Sequence, residues 1–265
     1  MKKKLHMLLF LLFLGVFCVS AWKLIGIYRT YEKGDSIYGK ITDMVVKTET
    51  DTYQPQITDD PKDVEEKEKT KKDKMISVDF KTLKTKNEDI IGWLYIPDSA
   101  ISYPLLQSED NSKYLHETYD KQSSIFGSIF MDYRNHSDFT DKHTIIYGHN
   151  MKNGSMFGTL KRYSDTNFFK EHRNIYILTE KGTFRYRVFS YHVADASGRV
   201  YTTSFSDNNA YKEFLNLITG SSYMKTKLKA TAKDRTITLS TCTGQEESRF
   251  VVHAKYMGKM VEKDK

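Results

Sequence analysis

Residues 236–255 read TITLSTCTGQEESRFVVHAK. Two β-rich runs flank a short polar loop; the first ends at Cys242 and the second starts at Arg249. If the two runs pair as neighbouring strands, Cys242 and Arg249 face one another at the same end of a sheet. Loops at sheet ends, carried by a rigid scaffold, are where reactive groups usually sit. A second stretch, residues 144–158, reads TIIYGHNMKNGSMFG. Its β-branched start delivers Tyr147, Gly148 and His149 into a loop containing Asn153 and Gly154.

Outward from these stretches, short β-rich runs recur between turn residues, at 92–96, 128–131, 174–179 and 183–191. With 144–147, 236–241 and 249–256 they make a mainly β domain, and their number and shortness point to a closed or nearly closed barrel. Two helices are predicted. Phe80 and Leu83 share one face near the start, and Tyr211, Phe214, Leu215 and Ile218 recur at helical spacing over 209–218, with Asp207 or Asn208 as cap.

The N-terminus has a different texture. Lys2, Lys3 and Lys4 precede an apolar run over 5–22 that only His6 and Ser20 interrupt, and residues 24–28 extend it. About 20 apolar residues cross a bilayer's hydrocarbon core. Residues 19–21 make a poor signal-peptide cleavage site, so residues 1–28 are read as a basic tip and an uncleaved membrane anchor. The lysines stay cytoplasmic under the positive-inside rule, which places the rest of the chain outside the cell. Residues 29–74 are polar, and 59–74 read DDPKDVEEKEKTKKDK, a stalk whose charges largely cancel. The folded domain is expected over 75–265.

Composition narrows the classes further. The 265 residues are 39% hydrophobic and 13% aromatic, enough for a sizeable core, which excludes disorder throughout. The net charge of +7 includes the three leading lysines, and no basic patch interleaved with aromatics points to nucleic acid. Two cysteines, one inside the anchor, cannot build a disulfide framework, so Cys242 is a lone thiol in an oxidising compartment.

A thiol becomes a useful nucleophile when part of it is thiolate, a state favoured by a cationic neighbour. His149 is suited to supply that charge and later to protonate a leaving amine. Arg249 keeps its proton and so is a poor base, but it is a good donor to a carbonyl or developing oxyanion. Spacing alone leaves other assignments open. His143 and His253 are equal candidates for the base, and Arg249 is equally explained by a surface pair with Glu246 or Glu247.

The sequence words go further. TLSTC at 238–242, followed by Arg249 heading a Phe-Val-Val strand, resembles the active-site signature of sortases. YGHN at 147–150 matches that family's histidine segment. GSIFMDYRN at 127–135 and GWLYIP at 92–97 resemble the class B branch, and the likeness spans about residues 80–260. It implies a sortase-type closed barrel of about eight strands, with N-terminal helices and an extra helix before the last strands. It implies Cys242 as nucleophile, His149 as general acid and base, and Arg249 as the residue holding a scissile threonyl carbonyl. Ser240 and Tyr147 are implied beside them, with Asn111 and Leu115 on an outer groove wall. Tyr201 is implied on a loop lining the groove, and Thr241 as a backbone donor to the oxyanion.

The implied activity is that of a cysteine transpeptidase. It would cut a C-terminal sorting signal of NPQTN or P-x-T-G type after Thr, through a thioester on Cys242. Its partners would be signal-bearing surface proteins and an amine of peptidoglycan or its lipid-linked precursor. No metal or organic cofactor is implied. Three rivals share these residues: a pilin-polymerising sortase with a Lys acceptor, a hydrolytic cysteine peptidase, and a non-catalytic wall-binding module.

Overall fold

A computed structural model describes residues 2–49, 53–55 and 73–262. The chain divides into two compact units, residues 1–40 and 41–265. The first is helical throughout its described part, as the N-terminal portion of α1 (Lys2–Val45). That helix is long and apolar enough to cross a membrane. It also runs beyond residue 28, into the segment read as a stalk. Its last turns belong to the second unit, where Ile41 and Val45 are buried one helical turn apart.

Two short strands follow, β1 (Val46–Glu49) and β2 (Tyr53–Pro55). β1 pairs antiparallel with β3 (Met75–Val78), so part of the expected stalk joins the folded body. Of the charged run over 59–74, residues 59–72 lie outside the described residues. Helix α2 (Phe80–Lys86) comes next. Asp79 caps it by accepting a bond from the Thr82 N–H, and Leu83 is buried beneath it.

The body is a barrel. In chain order its strands are β4 (Ile90–Tyr95), β5 (Ser102–Leu106), β6 (Ile129–Met131), β7 (His143–Tyr147), β8 (Asn174–Thr179), β9 (Gly182–Asp195), β10 (Thr236–Cys242) and β11 (Ser248–Glu262). Around the barrel they run β10-β7-β6-β5-β4-β8-β9-β11, and β11 pairs back to β10, closing eight strands. Closure removes the unpaired edges that an open sheet exposes. Two pairs are parallel, β5 with β6 and β7 with β10. Strand β11 is long enough to pair with β10 over Arg249–Lys255 and then with β2 over Met260–Glu262. Register shifts after His253 and Tyr256 let it curve along β9.

Sequence patterning missed β5. Pro104 lies inside it, and proline normally argues against an interior strand. It is tolerated because β6 engages only Leu105 and Leu106 on that side. Short helices α3 (Lys113–His116) and α4 (Thr166–Glu171) lie in the connections. The predicted helix before the last strands is α5 (Asn208–Gly220), with Asp207 accepting bonds from the Asn209 and Ala210 N–H groups. Its Tyr211, Phe214, Leu215 and Ile218 pack on Phe189, Val200 and Val251. Each such burial stabilises by about 1.5–3 kcal/mol.

A polar chain runs through this interior. The His143 Nδ1–H donates to the Thr202 carbonyl, 2.7 Å away. His143 Nε2 therefore carries the lone pair and accepts from the Thr238 hydroxyl at 2.6 Å. Thr238 Oγ1 in turn accepts from His253 Nδ1 at 2.7 Å, and His253 stacks on His192. This order is that of a neutral His143, and His253 needs no second proton to complete it. Burial lowers the pKa of His143 and His192 to about 4, and that of His253 well below its usual value. A depressed histidine pKa contributes stability above the unfolded value near 6.5 and loses it as pH falls towards the folded one. The exposed His136, raised by its bond to Asp141, works in the opposite direction but is a single group. The melting temperature is expected to fall steadily between about pH 6.5 and 5, before most carboxylates titrate. A scan that stayed flat over that window would contradict neutral packing of the three histidines.

Candidate active site

Strand β10 lies between β7 and β11, and this arrangement builds the site. Cys242 is directly opposite Arg249 in the β10–β11 ladder. Ser240 is beside Tyr147 in the parallel β7–β10 ladder, and the Gly148 N–H donates to the Ser240 carbonyl at 3.2 Å. Side chains alternate along a strand, so Ser240, Cys242, Tyr147 and Arg249 share one face. Thr241 points to the other. It is buried, and its hydroxyl donates to the Gly148 carbonyl at 2.7 Å.

His149 leaves β7 alongside the end of β10. The Asn150 side-chain amide donates to the Cys242 carbonyl at 2.8 Å, tying the histidine loop to the cysteine strand. The loop folds back on itself, with the Phe157 N–H donating to the His149 carbonyl and a bridge between Asn150 and Met156. The His149 ring is half-buried, and its Nε2–H donates to the Leu115 carbonyl at 2.7 Å. Cys242 and Arg249 are also half-buried. Arg249 Nη1 donates to the carbonyls of Glu246 and Ser248 at 2.8 and 2.9 Å. It bonds backbone, not the Glu246 or Glu247 carboxylates, and among the described residues no hydrogen bond engages its Nε or Nη2.

The alternatives left open by spacing separate here. His143 and His253 are buried in the polar chain of the interior, whereas His149 alone of the three lies beside the end of β10. Tyr201 comes over this face from the turn before α5. Its hydroxyl shares a 2.9 Å hydrogen bond with Ser240 Oγ, and its ring stacks on Tyr147. Burial raises the Tyr201 pKa, against its bond to Ser240 and the nearby Arg249 guanidinium. Asn111 donates to Asp132 at 3.1 Å, as does the Tyr147 hydroxyl at 2.8 Å. All nine residues singled out in the sequence are thus drawn into one connected region. Asn150 and Asp132 were missed: each is one polar residue inside a quoted motif, and nothing local marks its partner.

Three comparisons bear on this geometry. A family model described as a sortase domain matches residues 94–257. Sortase B of Listeria monocytogenes is 36% identical over 256 residues, covering 94% of this chain and 95% of that protein. Sortase B of Staphylococcus aureus is 32% identical over 179 residues, or 66% of this chain and 73% of that one. Among solved structures, sortase B from Bacillus anthracis in complex with AAEK1 aligns with a TM-score of 0.70 and 33% identity, covering 88% of this chain and 100% of that one.

An enzyme of cysteine-dependent acyl transfer is the class that this barrel and these relatives define. The chain belongs to the sortase family, within its class B branch, and is a cysteine transpeptidase of the kind that anchors surface proteins.

Gly148 lets neighbouring side chains approach closely beside His149. A Cβ there would run into Ile129 and the Phe157 ring. Gly148→Ala is expected to cost about 1–3 kcal/mol of stability through overpacking. By displacing His149 it should also cut peptide turnover by about 10²-fold. Thermal melting and turnover measured together check both, and a variant of wild-type rate would show that the close approach is unnecessary.

Proposed function

We propose that Cys242, His149 and Arg249 carry out acyl transfer from a sorting signal cut after Thr, the acceptor being an amine of peptidoglycan or its lipid-linked precursor. The observation that carries this reading is the register: Cys242 opposite Arg249, with the strand that delivers His149 paired on the other side of β10. The hydrogen bond to Leu115 gives the histidine a direction. A carbonyl only accepts, so Nε2 holds the proton and Nδ1 is the basic nitrogen of the neutral ring.

In the forward step Nδ1 takes the Cys242 proton as Sγ attacks the threonyl carbonyl. Arg249, through the guanidinium nitrogens left free of the loop, donates to the oxyanion. The C–N bond then breaks, and the departing amine takes its proton from Nδ1, leaving a thioester. The acceptor amine attacks next and passes a proton to Nδ1. Collapse of that intermediate forms the new amide and releases the thiolate, which is reprotonated by His149. Ser240, Tyr147, Tyr201, Asn111 and Leu115 line the groove for the signal. A peptide of NPQTN type is the substrate to try first, with P-x-T-G as the comparison.

Cys242→Ala and His149→Ala should abolish turnover of a quenched NPQTN peptide. Arg249→Lys keeps the charge but loses the planar fork, and is expected to lose about 10²–10³-fold with the high-pH limb of the rate profile unmoved. Product analysis with an added amine should show the transpeptidation product in place of the hydrolysed one. Near-wild-type rates in either His149→Ala or Arg249→Lys would remove that residue from the mechanism.

The same reading makes α1 the membrane anchor, with Lys2, Lys3 and Lys4 cytoplasmic and the barrel outside. A membrane-impermeant thiol reagent is therefore expected to label Cys242 on intact cells. Labelling only after lysis would reverse the topology.

A further inference from the structure

Asp132 is fully buried, at 0% side-chain exposure, yet five hydrogen bonds converge on its carboxylate. Oδ1 accepts from the Arg134 backbone N–H at 3.0 Å and from Arg134 Nε at 2.8 Å. Oδ2 accepts from Arg134 Nη2 at 2.7 Å, the Tyr147 hydroxyl at 2.8 Å and Asn111 Nδ2 at 3.1 Å. Three of the five bonds come from neighbouring Arg134, and the other two from the more distant Asn111 and Tyr147. Asn111 is on the segment before α3, and Tyr147 ends β7. Arg134 is bonded onward to the Tyr201 carbonyl at 3.3 Å.

Each of these links fixes a groove residue. The Asn111 amide is held at both ends, since its oxygen accepts from the Tyr133 N–H at 3.0 Å. The Tyr147 ring, tethered through its hydroxyl, is held between Phe130 and Tyr201. The Tyr201 turn is pinned at its carbonyl by Arg134 and at its hydroxyl by Ser240. Burial pushes the Asp132 carboxyl up, but the Arg134 and Tyr147 bonds outweigh it and hold the group below its usual range, so it is ionised at neutral pH.

We propose that Asp132, with Arg134, is a positioning pair for substrate recognition, a clasp that joins the Asn111 wall, Tyr147 and the Tyr201 turn into one groove of fixed width. The proposal rests on the groove assigned above. The clasp serves binding and leaves the chemistry untouched, because the parts that hold the reactive groups have their own supports. Leu115, whose carbonyl orients His149, follows Tyr114, which is anchored by Asp89, Asn87 and the Ser128 N–H. Cys242 is held by Asn150 and by the β11 ladder.

Asp132→Asn keeps the shape but leaves a single acceptor oxygen facing five donor bonds. Arg134→Gln removes the guanidinium at a side chain that is 41% exposed, keeps an amide able to donate to Asp132, and leaves the bonds from Tyr147, Asn111 and the residue 134 N–H in place, so some loss of stability is expected. Both variants are read by the kcat and KM of an NPQTN peptide, by the alkylation rate of Cys242 with iodoacetamide, and by hydrogen exchange at the Tyr201 and Thr202 amides. Those amides are bonded to the Gly198 and Arg199 carbonyls. The expected result is a rise of about tenfold in KM with kcat within about twofold, equivalent to losing one or two hydrogen bonds. Exchange should accelerate, and alkylation should not change.

Unchanged KM in a folded variant, or a fall in kcat alone, overturns the clasp. If Asp132→Asn does not fold, Arg134→Gln decides by the same criteria. If the wild-type enzyme does not turn the peptide over, the proposed signal has failed, and exchange alone judges the clasp. Protection equal to wild type then overturns it.

Discussion

The hydrogen-bond ladder that places β10 between β7 and β11 is the constraint on which the reactive end depends. β10 is the strand at which the barrel closes, so its two neighbours come from opposite ends of the sheet order. One brings Arg249 opposite Cys242, and the other brings Tyr147 beside Ser240 with His149 two residues beyond. An edge strand in this position would fray and leave the cysteine without a fixed neighbour on one side. Closure therefore does two jobs, since it removes the free edge and brings together side chains distant in the sequence.

Around that ladder the buried polar groups are held by hydrogen bonds, and the candidate catalytic groups are less buried. Ser240, Thr241 and Asp132 are buried and hydrogen-bonded, whereas Cys242, His149 and Arg249 are half-buried. Fully satisfied polar networks in a low-dielectric interior rigidify their surroundings, because breaking any member leaves an unpaired group. The chain from Thr202 through His143 and Thr238 to His253 Nδ1 is bonded at every link, although His253 Nε2 is buried with no hydrogen-bond partner among the described residues, and it reaches the turn that carries Tyr201. A site that must hold a peptide in one orientation needs this kind of support beneath it.

Much of the fold was readable locally. Helical spacing announced α2 and, with an Asp cap, placed α5 within two residues at each end, and the β-rich runs placed seven of the eight barrel strands. The exceptions have physical causes. β5 was hidden by Pro104, whose effect depends on which side of the strand is paired. β1, β2 and β3 are short and lie in or beside polar sequence, so only their pairing identifies them. The extension of α1 to Val45 rests on Ile41 and Val45, two apolar residues in a polar stretch, whose burial no local pattern announces.

The sequence by itself determined the chemistry on offer: one thiol beyond the apolar N-terminal run, an arginine heading the next strand, a histidine at the end of a β-branched run, and lysines before that apolar run. These are properties of composition and short-range order, which period and motif report directly. The tertiary structure decided which histidine lies beside the end of the cysteine strand, which of its ring nitrogens bonds the Leu115 carbonyl, and that Asp132 accepts from Asn111, Tyr147 and Arg134. Those outcomes depend on single hydrogen bonds between residues up to 95 positions apart, such as His143 with Thr238. A bond of that kind has no local signature, because any of many polar side chains would look the same in the chain until closure of the barrel brings one of them into reach.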